Sequence, residues 1–581
     1  MLRTIDLRGR GHLAAEAIEA LLPRAELGVD AAMVQVRPLL DDIAKRGAAA
    51  IEELSARYDG IAPPSLRVPE DELRRALAGL DPEVRQAMEV SIDRVRRVHA
   101  AEVPPDSRVE VAPGASISQR WIPVRRVGLY APGGLAVYPS SVIMNVVPAQ
   151  EAGVRELTVS SPPQPAFGGW PHPAILAACQ LLGVSEVYAA GGVSAIGLFA
   201  FGVPGIARKV DVITGPGNIY VATAKRLVMG GVGIDAEAGP TEIAIVADGG
   251  ANAEFVAADL VSQAEHDPLA GAILITDSPD LARQVDAAVR RRSAQTKHAQ
   301  RVDLALRGAQ SATVLVDSVD EALRVANVYA AEHLELQVAD PAAAAEKIHS
   351  AGAIFVGPYS PVPLGDYMAG SNHVLPTGGT ARFASGLSVM AFLKSVQQVE
   401  YTASALRDVA SLIEAFALAE DLPAHGEAIR ERSRGRAVRG PLPEDLAEVT
   451  APDLVGSLPP AVDDAAATVW EVVSNAVVGK TNPAESASAG DGRFEPPWAG
   501  PASRPALEIS GSGLEDGLRV DQVASHGADQ AVEQGDCDDW LGPLPPLEPG
   551  QAARTEVGGG TTTSGRTKPV IEGPPDDPDR P

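Results

Sequence analysis

Val127-Gly-Leu-Tyr-Ala-Pro-Gly-Gly134 is the stretch from which the architecture of this chain is read. A short, mostly apolar run ends in a proline–glycine turn, and a helix-patterned segment follows. The same unit recurs. Leu157-Thr-Val-Ser160, Val187-Tyr-Ala-Ala190, Val210-Asp-Val-Ile213 and Ile243-Ala-Ile-Val246 repeat it, and so do Ala272-Ile-Leu-Ile275, Thr313-Val-Leu-Val316 and Ala353-Ile-Phe-Val356. Runs of four or five such residues, a Gly or Asp turn and ten or more residues of helical periodicity make the signature of βαβ units. Strands in parallel sheets are covered on both faces, which is why such runs are nearly all apolar. An α/β fold with largely parallel sheets follows.

On either side of this region the texture changes. Ala31 to Tyr58 and Pro82 to Ala101 are alanine-rich helical patterns. Beyond Arg439 the periodicity fades. That tail holds 19 of the 48 prolines, and from Pro441 it has 25 acidic residues against 8 basic ones, so it supplies −17 of the formal charge of −27. Too little apolar surface is available there to offset the ordering entropy, so residues 439–581 are expected to be a disordered acidic tail without a catalytic role. Only Asp464 to Val478 has the pattern of a short helix.

Composition excludes several functions. The acidic charge argues against a nucleic-acid binder, which usually presents a basic face. No window of eighteen apolar residues exists, and Met1-Leu-Arg-Thr-Ile-Asp-Leu-Arg8 lacks the apolar run of a signal peptide, so a cytoplasmic protein with no membrane partner is expected. The two cysteines, Cys179 and Cys537, are far apart and suit neither a disulfide framework nor a cysteine zinc site.

Four of the ten histidines stand among polar residues next to apolar segments. Ser262-Gln-Ala-Glu-His-Asp267 ends an apolar helix pattern, and Gln263 and His266, three apart, share a helix face on which they could grip one ion. Ala331-Glu-His-Leu-Glu-Leu336 sets a carboxyl beside an imidazole, the equipment of acid–base catalysis. Leu364 to Thr377 reads as a long loop bearing Asp366 and His373, a type of segment that usually binds something. Glu420-Asp-Leu-Pro-Ala-His425 pairs another carboxylate with an imidazole. Each segment alone is also compatible with an ordinary polar helix end. Together, Gln, His, Asp and His form a mixed N/O set suited to zinc or a neighbouring first-row ion. The turns Tyr130 to Gly134, Ala190-Gly-Gly192 and Thr214-Gly-Pro-Gly-Asn218 suit either a phosphate or a tight connection, and none is a G-x-G-x-x-G followed by an acid.

In this order, V-G-L-Y-A-P-G-G, G-P-G-N, A-G-P-T-E, S-Q-A-E-H-D, A-E-H-L-E-L, G-D-Y-x-A-G-x-N-H-V-L-P-T and E-x-L-x-A-H resemble the histidinol dehydrogenase family over about residues 1–435. The resemblance implies Gln263, His266, Asp366 and His425 as zinc ligands, and Glu332 and His333 as catalytic acid–base residues. Thr241, His333, Glu420 and the zinc ligands would surround L-histidinol, with His373 nearby. Tyr130 and Asn218 would contact NAD. Ser194 stands where the family commonly has Gln, so its shorter side chain loses reach; Thr241 replaces a common Ser and keeps the hydroxyl.

The implied architecture is two incomplete Rossmann-like βαβ domains with small terminal helical segments. Residues 1–25 would form an N-terminal segment, 26–128 with 242–387 a discontinuous catalytic domain, and 129–241 an NAD-binding domain. Residues 388–438 would be a helical segment exchanged between the subunits of a homodimer. The implied reaction oxidises L-histidinol to L-histidine through bound histidinal, with two NAD reduced in turn and one zinc per subunit holding the substrate nitrogens. A same-family dehydrogenase of another small polar alcohol, such as a sulfonated diol, and a catalytically dead scaffold are the competing readings.

Overall fold

All eight short runs become parallel strands, and they divide between two sheets. The computed structural model describes residues 2–25, 29–133, 137–236 and 239–433; the tail expected over 439–581 lies outside the described residues. One sheet has five strands in the order Val187–Ala189, Glu156–Ser161, Arg126–Tyr130, Val212–Thr214, Gly233–Ile234. The other has six, in the order Arg3–Asp6, Ala312–Leu315, Gly271–Thr276, Glu242–Ala247, His333–Gln337, Ala353–Val356. Every pairing in both sheets is parallel. Apart from the extra edge strand at Arg3, each sheet runs third, second, first, fourth, fifth in chain sequence, the order of a dinucleotide-binding fold without its sixth strand.

Two strands of the six-stranded sheet were not legible as strands. Arg3–Asp6 is a mostly exposed edge with no apolar run. His333–Gln337 is fully buried between two neighbouring strands, yet its sequence alternates polar and apolar residues because His333 and Glu335 have partners inside. A third, antiparallel sheet joins Ser107–Ala112, Ala115–Pro123 and Leu393–Tyr401. In the described part of residues 388–438 a 3-10 turn, Val389–Phe392, precedes the strand Leu393–Tyr401, and the helices Ala403–Ala419 and Pro423–Ser433 follow.

The helical pattern from Ala31 to Tyr58 is two helices, Val29–Arg46 and Ala48–Tyr58, broken where Gly47 takes a φ of 58°. These pack with Gly192–Phe201 and Ile219–Val228 around Tyr130 and Ile213 of the five-stranded sheet. Glu70–Ala78 and Pro82–Glu102 pack on Pro173–Leu181 and Pro139–Glu151 of the same layer. The helices between residues 29 and 102 thus pack chiefly on the five-stranded sheet, whereas the expectation grouped them with 242–387. The reason is apolar complementarity that spacing along the chain does not reveal. The N-terminal segment, for its part, is tied into the six-stranded sheet through Arg3–Asp6.

At the switch point of the five-stranded sheet, where connections diverge from Arg126–Tyr130 and Val212–Thr214, the Gly-Pro-Gly turn is clamped from below. Lys225 Nζ donates to the Gly215 carbonyl at 3.0 Å and to Asp235 Oδ1 at 2.5 Å, while Gly215 N donates to Asp235 Oδ2 at 2.8 Å. Gly215 has a φ of 123°, and a Cβ there would lie 2.1 Å from the Tyr130 carbonyl oxygen, so only glycine fits. Both charged side chains are at most 4% exposed. Asp235→Ala leaves Lys225 buried without its counter-charge and should cost about 3–5 kcal/mol in urea unfolding. A loss below about 1 kcal/mol would mean that water already reaches the ammonium.

Candidate active site

In open α/β sheets, ligands usually bind at the carboxyl ends of strands. The chemically distinctive residues of the six-stranded sheet gather at the opposite end. Thr241 and Glu242 open one strand, and Glu332 and His333 open its parallel neighbour, with His333 in register with Ile243. The helix Ala253–Ala264 runs back along the sheet and delivers Gln263 in its last turn, with His266 just beyond. Asp366 comes not from a loop but from a short helix, Val362–Tyr367, which departs from the expected irregular segment. His373 lies in the stretch that follows.

Hydrogen bonds join these groups. Gln263 Nε2 donates to Thr241 Oγ1 at 2.6 Å, and the Thr241 hydroxyl donates to Glu332 Oε2 at 2.5 Å. The same carboxyl oxygen accepts from Glu242 N at 2.9 Å. His333 Nδ1 donates to the Glu242 carbonyl at 3.2 Å, which fixes the tautomer and leaves Nε2 as an acceptor. His373 Nδ1 donates to the Asp366 carbonyl at 3.1 Å, so its Nε2 accepts from the Ser141 hydroxyl, also at 3.1 Å. Both nitrogens of His373 are thereby used, and its role is to brace the segment that carries Asp366.

Burial governs the electrostatics. Desolvation lifts the Glu332 carboxyl to about 8 against the pull of its Thr241 and Glu242 hydrogen bonds. Desolvation likewise lifts Asp366 to about 6 and drives His373 down to about 4, the latter aided by repulsion from His333 and His266. His333 and His266 are also pushed down, mainly by burial. The 3.5 Å approach of His333 Nδ1 to Glu332 Oε2 is therefore a contact between groups that have both shifted away from charge near neutral pH, rather than an ion pair. Behind them, Glu242 holds Arg24 at 3.0 Å and accepts from Tyr329 at 3.1 Å.

The donor set suits a cation. Gln263 is 2% exposed, yet its Oε1 has no hydrogen-bond partner because Nε2 is turned to Thr241. An unpartnered amide oxygen, an imidazole and a desolvated carboxyl would all be relieved by one ion. Among the described residues no three His, Cys, Asp or Glu side chains meet closely enough to hold a metal alone. Glu420 and His425 are exposed on the C-terminal helices and are not brought to this site within the chain. His266 and Asp366 line a cavity of about 660 Å³ that also meets Tyr138, Ser140, Lys297 and Arg301. Tyr138, Ser140 and Ser141 belong to the start of the helix that follows strand Arg126–Tyr130, so the carboxyl end of one sheet faces the amino end of the other. Ser141 and Glu242 escaped the sequence reading; Ser141 had a signal, the Pro-Ser-Ser start of a helix after a glycine turn.

At the five-stranded sheet, Tyr130 ends the first strand and its hydroxyl accepts from Gly192 N at 3.2 Å. Ser194 is buried in the first turn of Gly192–Phe201. Asn218 caps Ile219–Val228, its Oδ1 accepting from Tyr220 N and Val221 N. Cys179 is core, and burial pushes its thiol up to about 12, which removes it from any nucleophilic role.

Because burial raises the Glu332 pKa above its ordinary value of 4.5, the native state keeps a proton that the unfolded chain releases between about pH 4.5 and 8. Stability must fall as pH rises through that window. In metal-free protein the thermal midpoint of Glu332→Gln should gain on wild type from about pH 5 to about pH 8 and the difference should level off above that. A pH-independent difference between the two would show that Glu332 ionises normally.

A family model described as histidinol dehydrogenase matches residues 22–433. Histidinol dehydrogenase of Nocardia farcinica is 58% identical over 435 residues, covering 74% of this chain and 98% of that protein. The Streptomyces avermitilis enzyme is 56% identical over 433 residues, with the same shares covered. A crystal structure of histidinol dehydrogenase from Elizabethkingia anophelis is 33% identical and superposes with a TM-score of 0.70, over 74% of this chain and 98% of that one. Matched over residues 22–433 and more than half identical to these relatives, the chain belongs to the histidinol dehydrogenase family.

Proposed function

We propose that this protein is a zinc-containing, NAD-dependent enzyme that oxidises L-histidinol to L-histidine by way of bound L-histidinal. The observation that carries the reading is the buried chain Gln263–Thr241–Glu332 with His333 beside it, which leaves Gln263 Oε1 unpartnered next to acid–base groups. Gln263, His266 and Asp366 hold the metal together with His425 of the partner subunit. Zinc, when bound, supplies a template for the substrate's nitrogens, and the nicotinamide accepts hydride.

His333, neutral and with Nε2 free to accept, takes the hydroxyl proton of the alcohol. Glu332, lifted to about 8, titrates near the working pH and takes the proton of the water that hydrates the aldehyde. Thr241 aims that carboxyl while its own oxygen stays fixed by Gln263. His373 borders the substrate, and Glu420 of the partner subunit completes its surroundings. Tyr130 and Asn218 seat NAD at the carboxyl edge of the five-stranded sheet, with Ser194 alongside. The protein works in the cytoplasm; among the described residues no helix is long and apolar enough to cross a membrane.

A homodimer with exchanged C-terminal segments accounts for the helices Ala403–Ala419 and Pro423–Ser433. They pack on each other and on the antiparallel sheet, and they leave Phe416 and Leu418 68% and 74% exposed. An apolar face of this kind belongs against another surface.

Three outcomes test this reading. Chelation should abolish NADH formation from L-histidinol and added zinc should restore it; activity that persists without metal removes zinc from the proposal. Glu332→Gln should slow oxidation of supplied histidinal by about 10²–10⁴-fold and the alcohol step far less; equal losses would reject the division of roles. Finally, dead His266→Ala and His425→Ala chains refolded together should regain about a quarter of wild-type activity, since half the dimers are mixed and each has one intact site. Mixed dimers, confirmed by mass spectrometry, that stay dead would place His266 and His425 of one chain in the same site.

A further inference from the structure

In dinucleotide folds, an acid near the end of the second strand hydrogen-bonds the adenosine ribose. Here the second strand, Glu156–Ser161, ends in Ser160-Ser-Pro-Pro163, with no acid. The chain fills that place from elsewhere. Asp59 follows the helix Ala48–Tyr58, and Leu66 to Val68 then lie along the outer strand Val187–Ala189: Ala189 N donates to the Leu66 carbonyl at 2.8 Å, and Val68 N to the Val187 carbonyl at 2.9 Å. Arg67 bridges Tyr188 in the antiparallel sense, so the residues before Leu66 cross the carboxyl edge of the sheet.

A Cβ placed on Gly191 would lie 3.1 Å from Asp59 Oδ1 and 2.7 Å from Pro162 Cβ, which sets the carboxyl between the second and third strand ends. A Cβ on Gly133, in the first glycine turn, would lie 3.1 Å from Ser161 Oγ and 3.2 Å from Pro162. Ser161 is fully buried and its hydroxyl has no partner. Among the described residues no cation pairs with Asp59. One edge of the sheet thus gathers a glycine turn packed on Ser161 and Pro162, an unpartnered hydroxyl and a carboxyl without a counter-charge.

Resting on the dinucleotide reading above, we infer that Asp59 accepts the 2′- and 3′-hydroxyls of the adenosine ribose, with Ser161 beside it, and excludes a 2′-phosphate. A carboxylate accepts from both hydroxyls of a diol, whereas a phosphate monoester brings about −1.5 to −2 charge against it. Burial holds the Asp59 carboxyl up to about 6, against the pull of the neighbouring Ser55 hydroxyl.

Calorimetry on the full-length dimer with ADP-ribose and 2′-phospho-ADP-ribose tests this without turnover. Wild type should prefer ADP-ribose by about a hundredfold or more, and Asp59→Asn should weaken ADP-ribose about tenfold and bring the two ligands within about tenfold of each other. Asp59→Glu, which keeps the charge, should keep the exclusion of the phosphate. Asp59→Asn with wild-type thermal midpoint and unchanged affinities for both ligands would overturn the inference while leaving NAD dependence standing. Wild type that binds neither ligand and forms no NADH from L-histidinol would overturn the dinucleotide reading itself.

Discussion

The parallel pairing of Glu242–Ala247 with His333–Gln337 is the constraint from which the rest of the site follows. Its register sets Thr241 beside Glu332 and the Glu242 carbonyl beside His333 Nδ1, so backbone hydrogen bonding fixes both the aim of the carboxyl and the tautomer of the imidazole. A slip of one residue would turn His333 and Glu335 to the other face and put Leu334 in the site. Because these groups sit at the amino ends of their strands, the site opens toward the carboxyl end of the other sheet, where Ser141 meets His373. Two halves with the same strand order are thereby used in opposite senses, one to present chemistry and one to present glycine turns.

Holding this cluster in a dry place works against the native state. Glu332 and Asp366 are lifted, His266, His333 and His373 are lowered, and Gln263 Oε1 lacks a partner. Each departure records a charge or dipole that the fold alone does not satisfy. The surrounding packing offsets this: Arg24, Glu242 and Tyr329 form a satisfied network behind the site, and the apolar cores on either side of the six-stranded sheet are continuous. Reactive groups are left under-satisfied on one side and rigidly backed on the other, the arrangement expected where a bound ion and substrate complete the electrostatics.

The five-stranded sheet shows a different economy. It lacks the usual glycine fingerprint, yet its switch point is built with the same physics: a glycine turn that only glycine can adopt, clamped by the buried Lys225–Asp235 pair. Long-range packing, not local sequence, brings Asp59 to the edge of this sheet. The helices of residues 29–102 serve the same sheet although they precede its first strand.

Apolar runs of four or five residues, each closed by a Gly or Asp turn, were enough to determine the parallel α/β class and all eight strands first read. Burial on both faces leaves that mark directly in composition. The side chains of the candidate site stood out more weakly: Gln263, His266, Glu332 and His333 lie beside apolar segments and Asp366 in an expected loop, and only the order of the motifs, through the family resemblance, joined them. What tertiary structure alone decided is how they meet. The strand His333–Gln337 was hidden because its polar residues find buried partners, and periodicity cannot anticipate a partner ninety residues away. The amino-end location of the site, the bracing of His373 by Ser141 and the attachment of residues 29–102 to the five-stranded sheet share one cause. Each depends on contacts between segments remote in sequence, and the hydrophobic effect that selects those contacts is non-directional, so it leaves no local pattern of who will face whom.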